Sequence, residues 1–181
     1  CAVGAAAAQA DGAEILVFLD GDGGDPAPMI PALLAPILDG GADFAIGSRT
    51  RGDRERGSMG LHQVIAGRLF GALIGLVCGV RYTDMSAFRA IRAEALARLP
   101  MRETSYGWNL EMQMRAARAG LTVRELPIPY RRRRAGQSKV AGTFRGTVRA
   151  GFGLFRTFLR VAREPPPARS AGFPPPRVGE G

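Results

Sequence analysis

The stretch Ile15-Leu-Val-Phe-Leu-Asp20-Gly-Asp22-Gly-Gly-Asp25 governs how the rest of the chain is read. Its first five residues are apolar and rich in branched and aromatic types, the pattern of a parallel strand buried on both faces. Such a strand is expected at the centre of its sheet, with its C-terminal end at the crevice where α/β proteins bind ligands. That end carries three aspartates spaced by glycines. Asp20 and Asp22, one residue apart on a tight turn, repel each other unless a cation sits between them. Their hard oxygens suit Mg2+ or Mn2+, ions that commonly hold a substrate's phosphates. A polar loop is the plainer alternative; three acids crowded at one strand end favour a metal site of Asp20, Asp22 and Asp25.

The chain of 181 residues is 46% hydrophobic, enough for one globular domain with a real core. No apolar run reaches the ~18 residues of a membrane span; the longest, Leu69 to Val80, is too short. The first residue is Cys1, which fits either a processed, lipidated N-terminus or a fragment whose front is missing. Cys1 and Cys78 do not suggest a disulfide framework, and Cys78 falls in an apolar helical pattern as a small core residue. The net charge of +9 is uneven: Ile128 to Arg163 holds ten basic residues and no acidic one, which leaves 9 − 10 = −1 for the remainder. A partner of that segment should be anionic.

In chain order, the alanine-rich start reads as the end of a helix closed near Gly12. Ile30, Leu33, Leu34, Ile37 and Leu38 share a helical face, with Pro36 expected to kink it. Asp43 to Ser48 reads as a strand running into Arg49, and 50–60 as a charged, glycine-rich loop. Leu61 to Cys78 is a long apolar helix, read as core, with the single histidine, His62, near its start as a solvated or capping residue. A turn at Asp84 enters a short strand. Ala93 to Leu99 and Asn109 to Ala119 are helices, the second led by Tyr106-Gly-Trp108, and Thr122 to Leu126 is a strand. Thr143 to Ala162 reads as a basic amphipathic helix with Phe144, Val148, Phe152, Phe155 and Leu159 on one face. It could lie in a membrane interface or pack back on the domain. From Pro165 the proline- and glycine-rich tail is expected to be disordered.

Two enzyme classes place Asp-x-Asp after such a strand. The haloacid-dehalogenase phosphatases also need a lysine and a further acidic pair downstream, but this chain has one lysine, Lys139, and no aspartate after Asp84. The other class is the nucleotide-sugar glycosyltransferases of the GT-A type. Five pieces occur in order: Phe-Leu-Asp20-Gly-Asp22-Gly-Gly-Asp25-Pro, Ile-Gly-Ser48-Arg49, Asp84-Met-Ser-Ala-Phe-Arg89, Gly-Trp108-Asn-Leu-Glu111-Met, and Arg-Arg-Ala-Gly-Gln-Ser138-Lys139-Val. With them the chain resembles family 2 glycosyltransferases, in particular the dolichyl-phosphate mannose synthase and polyprenyl-phosphate glycosyltransferase branch. Each piece alone is weak; the ordered series, from Ile15 to Val140, is specific. Ala87 stands where members often carry glycine. The family's opening strand, its base-gripping loop and a second βα unit, roughly sixty residues in all, have no counterpart here. That favours the fragment reading, and residues 1–181 alone are expected not to turn over.

The resemblance implies a GT-A-like α/β fold with a mostly parallel sheet flanked by helices, lacking the first βα units. Residues 1–140 would be the later part of the catalytic domain, 141–164 the basic helix and 165–181 the tail. It implies Mg2+ or Mn2+ on Asp20 and Asp22, with Asp25 helping through water. Arg49 and Arg89 are implied to meet phosphates, which suits bidentate guanidinium groups; either could instead form an ion pair. Arg131, Arg132, Ser138 and Lys139 would close over the donor diphosphate or a lipid phosphate. Asp84 would orient the acceptor or hold an arginine, and Glu111 is the weaker alternative base, or a carboxylate favoured at a helix start. The implied reaction is inverting transfer of a hexose from a nucleotide sugar to a polyprenyl phosphate, by an enzyme peripheral on the cytoplasmic membrane face. A soluble acceptor is the alternative on the same fold. A nucleic-acid-binding module is the alternative from another class; no nucleic acid is expected, because the basic run lacks interleaved stacking aromatics and would leave the acidic turn idle.

Overall fold

A computed structural model describes residues 1–105, 107–132 and 144–165. Ser138, Lys139 and the tail beyond 165, all assigned roles or states above, lie outside the described residues.

The described chain forms helix α1 (Ala2–Ala10), strand β1 (Ile15–Phe18), helix α2 (Ile30–Leu38), strand β2 (Phe44–Ser48), helix α3 (Leu61–Cys78), strand β3 (Arg89–Arg92), helices α4 (Ala93–Arg98) and α5 (Trp108–Arg118), strand β4 (Val123–Pro127) and helix α6 (Phe144–Arg163). The elements fall where apolar periodicity and glycine stops place them. α3, for instance, ends at Gly79, whose φ of 77° is a left-handed cap that a side chain would strain. α2 continues through Pro36, beside Gly40 as its stop.

The four strands are ordered β1-β3-β2-β4. β2 and β4 pair in parallel, but β3 pairs antiparallel with both β1 and β2. This corrects the expected mostly parallel sheet. Three strands point one way, and β3 is inserted against them, joining Ile15 to Arg92 on one side and Phe44 to Ile91 on the other. Among the described residues β1 lies at one end of the sheet, paired with β3, and Leu16 is its one buried residue. An apolar run reports burial; it does not report the direction or number of neighbouring strands.

Alternation along the strands divides the core into two layers. Leu16, Phe44, Ile46 and Ile91 face α1, α3, α5 and α6, whereas Ala45 and Ala90 face α2 through Leu33 and Ile37. α5 runs through the larger layer with Leu110, Met112, Met114 and Ala116 fully buried. α3 approaches the segment after it backbone to backbone: a Cβ on Gly71 would come 1.9 Å from the Tyr82 carbonyl oxygen. Gly71→Ala should therefore lower stability by about 1–3 kcal/mol through overpacking, despite alanine's better helix propensity. Gly153→Ala on α6, with nothing within 4 Å, should be neutral or raise it. Thermal melting of the two variants checks the pair; a stabilised Gly71→Ala would contradict the close packing.

α6 packs back on the domain, one of the two expectations made for it. Phe158 and Val161 are buried against the core, while Val148, Phe152 and Phe155, on the face picked out by sequence, are exposed. Its end is clamped by charge. Glu164 accepts from Arg115 at 2.8 and 3.2 Å, and that Arg115 hydrogen bond, outweighing burial, holds its carboxyl below the usual range, with Arg102 and Arg160 adding to it. A lowered carboxylate pKa gives stability that is complete above the unfolded value of 4.5 and is lost as pH falls through the folded one. Wild type should thus melt above Glu164→Gln at pH 7, and the gap should close on acidification. A gap independent of pH would contradict the clamp.

Candidate active site

The turn after β1 is closed by its own aspartates. Asp25, buried, accepts the Asp20 backbone N–H at 2.8 Å. Burial pushes its carboxyl above the usual range, with Asp20 and Asp22 adding to the push. Asp22 accepts the Gly24 N–H at 2.9 Å. A Cβ on Gly24 would lie 3.1 Å from both the Asp22 Oδ1 and the Tyr130 hydroxyl, tighter than ordinary contact, so the turn and Tyr130 approach each other closely here. Asp20 is exposed and Asp22 half-buried.

The end of β2 brings up the opposite side. Arg49 donates from Nε and from Nη2 to the two oxygens of Asp84, each at 2.8 Å, and its backbone N–H adds a bond of 2.9 Å. Asp84 is 1% exposed. Burial works against the Arg49 charge, but the Asp84 hydrogen bonds and charge hold its pKa above the ordinary range. The Arg49 guanidinium lies 5.1 Å from the centroid of the Tyr130 ring. Two of its five N–H donors go to Asp84 side-chain oxygens, and the rest of the planar group is left on the Tyr130 side.

The loop carrying Asp84 is held from behind. Glu125 of β4 accepts the Thr83 N–H at 3.0 Å and its hydroxyl at 2.9 Å. The Ser48 and Thr83 hydroxyls are 2.7 Å apart. Burial pushes the Glu125 carboxyl up, although the Thr83 hydrogen bonds oppose it.

Sequence therefore brought together Asp20, Asp22, Asp25, Arg49 and Asp84, and these do gather around the ends of β1 and β2. Arg131 and Arg132 are exposed beyond Tyr130, with Arg132 donating to Glu55 and to the Arg56 carbonyl. Two assignments are corrected. Arg89 is 0% exposed; it donates to the carbonyls of Ser86 and Asn109 inside the core, where burial pushes its pKa down to about 10. It shares a strand face with Ile91, so the pleat turns it inward and away from any soluble phosphate. Glu111 is also 0% exposed and serves as an anchor: its oxygens accept from the backbone of Arg102 and Glu103 and from the side chains of Arg115 and Arg160. No lone pair is left for work as a base. Tyr130 and Glu125 were missed. Their signal was available only by pairing β2 with β4, which sets Glu125 beside Ile46 and carries Tyr130 past Ser48.

For a divalent cation, Asp20 and Asp22 supply hard carboxylate oxygens of the right chemistry. Among the described residues no three His, Cys, Asp or Glu side chains converge as a cage, and the Asp25 carboxylate closes its own turn. The arrangement fits an ion held by two carboxylates and completed by oxygens of a phosphate ligand, the usual habit of Mg2+.

The sequence profile described as "Glycosyl transferase family 2" matches residues 2–99. The chain is 35% identical over 138 residues to an uncharacterized glycosyltransferase of Mycobacterium tuberculosis (strain ATCC 25618 / H37Rv), covering 74% of this chain and 60% of the relative. It is 32% identical to the undecaprenyl-phosphate mannosyltransferase of Micrococcus luteus, covering 72% and 55%. It is 29% identical to the polyprenol monophosphomannose synthase of Mycolicibacterium smegmatis, covering 73% and 51%. The chain thus spans between half and 60% of the length of these relatives. Among solved structures, glucosyl-3-phosphoglycerate synthase from M. tuberculosis, in complex with Mn2+, UDP-glucose and phosphoglyceric acid, superposes with a TM-score of 0.58 at 20% identity, over 84% of this chain and 50% of that one. That likeness establishes a shared GT-A-like fold, in which a mixed sheet of four strands is flanked by helices. With more than half of its residues inside the matching profile, this chain belongs to glycosyl transferase family 2.

Proposed function

We propose that the chain carries the acidic turn and the acceptor-side wall of an inverting, metal-dependent transferase that moves a hexose from a nucleotide sugar to a polyprenyl phosphate. The observation that carries this reading is the juxtaposition of the Asp20–Asp22 turn with the Arg49–Asp84 pair across Tyr130. Asp20 and Asp22 would hold Mg2+ or Mn2+ for a donor diphosphate. When bound, the ion stabilises negative charge on the departing nucleotide. Asp84 fixes the plane of Arg49, so the cation is oriented before a phosphate arrives. An acceptor phosphate is already ionised, so it needs no strong base, and the saturated hydrogen bonding of Glu111 is no obstacle. Arg131 and Arg132, exposed beyond Tyr130, add positive charge on the approach, and Ser138 and Lys139 follow them in the sequence with a hydroxyl and a further cation for a phosphate. The enzyme works as a peripheral protein at the cytoplasmic membrane face; no helix among the described residues is long and apolar enough to cross a membrane.

The names of the M. luteus and M. smegmatis relatives support a lipid phosphate as acceptor. The phosphoglyceric acid in the similar solved structure favours a second reading, a small soluble phosphorylated acid. Full-length protein given labelled UDP- and GDP-hexoses, with either a polyprenyl phosphate or 3-phosphoglycerate, separates the two. Label is expected in the organic phase, dependent on Mn2+ or Mg2+. Label only in 3-phosphoglycerate would replace the first reading by the second.

A further inference from the structure

Eleven large apolar side chains are exposed among the described residues, and eight of them lie on two helices: Leu61, Ile65, Leu69, Leu76 and Val77 on α3, and Val148, Phe152 and Phe155 on α6. Leu61, Ile65, Leu69 and Leu76 follow one another at steps of four, four and seven residues, so they form a single outer stripe. The two helices meet where the rings of Phe70 and Phe158 pack at 6.2 Å between centroids. Phe70 follows Leu69 in the chain, and Phe158 lies one helical turn beyond Phe155. The two exposed stripes therefore flank one seam.

The charge around these stripes has one sign. Neither 61–78 nor 144–163 contains an acidic residue. Arg68 on α3 and Arg149, Arg156 and Arg163 on α6 are exposed. Phe152 sits three residues after Arg149 and four before Arg156, a spacing that frames an aromatic ring with two cations on one face. A second copy of this chain would bring arginine against arginine. An anionic bilayer offers both what the stripes lack, hydrocarbon for Leu and Phe and negative headgroups for Arg.

The inner face of α3 fixes what such docking accomplishes. A Cβ on Gly67 would lie 3.7 Å from Asp84 Oδ1, and Gly71 abuts the Tyr82 carbonyl. The helix that carries the outer stripe thus covers the loop of Asp84. We propose that the outer faces of α3 and α6 form one docking surface for an anionic lipid bilayer. With α3 lying in the interface, the Arg49–Asp84 pair is about one helix diameter, ~10 Å, from the lipid. The benefit of that placement rests on the lipid-phosphate reading; the docking itself does not.

The test uses this chain with vesicles of phosphatidylglycerol or of phosphatidylcholine. Co-sedimentation is expected with the first and should weaken in high salt. Ile65→Gln/Leu69→Gln changes only exposed positions, so its melting temperature should match wild type, while vesicle affinity falls on the order of tenfold. Arg149→Glu/Arg156→Glu should abolish the preference for phosphatidylglycerol. Wild-type vesicle binding by the folded Ile65→Gln/Leu69→Gln protein would overturn the proposal. So would equal, negligible binding of wild type to both vesicles, or light scattering that shows the stripe buried in a dimer. If docking holds but full-length protein labels only soluble acceptors, the acceptor reading fails and the docking surface stands.

Discussion

Asp22→Asn in the full-length enzyme should cost on the order of a hundred- to a thousandfold in transfer rate while leaving the melting temperature within a degree or two of wild type. Asparagine keeps an Oδ1 that can accept the Gly24 N–H, so the turn survives and only the charge is removed. The contrast with Asp25 sharpens the result. Asp25→Ala deletes the acceptor of the Asp20 N–H and should disturb the turn itself, with loss of both rate and stability. Mn2+ binding by calorimetry gives a readout that is independent of turnover: Asp22→Asn should weaken it at constant fold. Undiminished transfer by Asp22→Asn would remove the two-carboxylate metal site.

Glu111→Ala should be the most destabilising carboxylate substitution in the described chain. Two backbone N–H groups and two arginines lose their common acceptor at a fully buried side chain. Removing one partner of a buried ion pair costs about 3–5 kcal/mol, which in a chain of this size lowers Tm on the order of 10 °C. Glu103, a half-buried partner of Arg160, provides the control, and its loss should cost less, roughly 1 kcal/mol. If Glu111→Ala instead melts like wild type and loses activity selectively, the residue acts on substrate after all.

Much of the site could be read from the chain because its parts are local. The acidic turn needs only the residues from 15 to 25, and glycine stops mark the helices. Pairing partners could not be read in the same way. Residues 89–92, Arg-Ala-Ile-Arg, form a short strand of mixed character, and nothing in them states that both neighbours run the other way. The inward turn of Arg89 was accessible in principle, since a strand that buries Ile91 must bury the residue two positions earlier. Its chemistry pointed outward instead. Glu111 misled in a related manner: a carboxylate at a helix start has a sufficient local explanation, Arg115 follows it one turn on in α5, and only the covering of α5 by α6 adds Arg160 and closes the site to solvent. Tyr130 follows two prolines and precedes an arginine run, a context that marks an edge. Its place beside the acidic turn depends on Arg54 bridging to it across the loop.

The reversed strand β3 also sets the order in which this chain can acquire its fold. β1 finds its partner only when residues 89–92 are available, since Ile15 pairs with Arg92, 77 positions later, and Phe44 pairs with Val123, 79 positions later. Sequence-distant contacts of this kind slow the search for the native state. During synthesis the pairing of β1 with β3 therefore waits until some seventy further residues have followed, and delayed contacts of this kind lengthen exposure to aggregation. Mutations that weaken β3 should accordingly show themselves as poor soluble yield before they show themselves as altered catalysis.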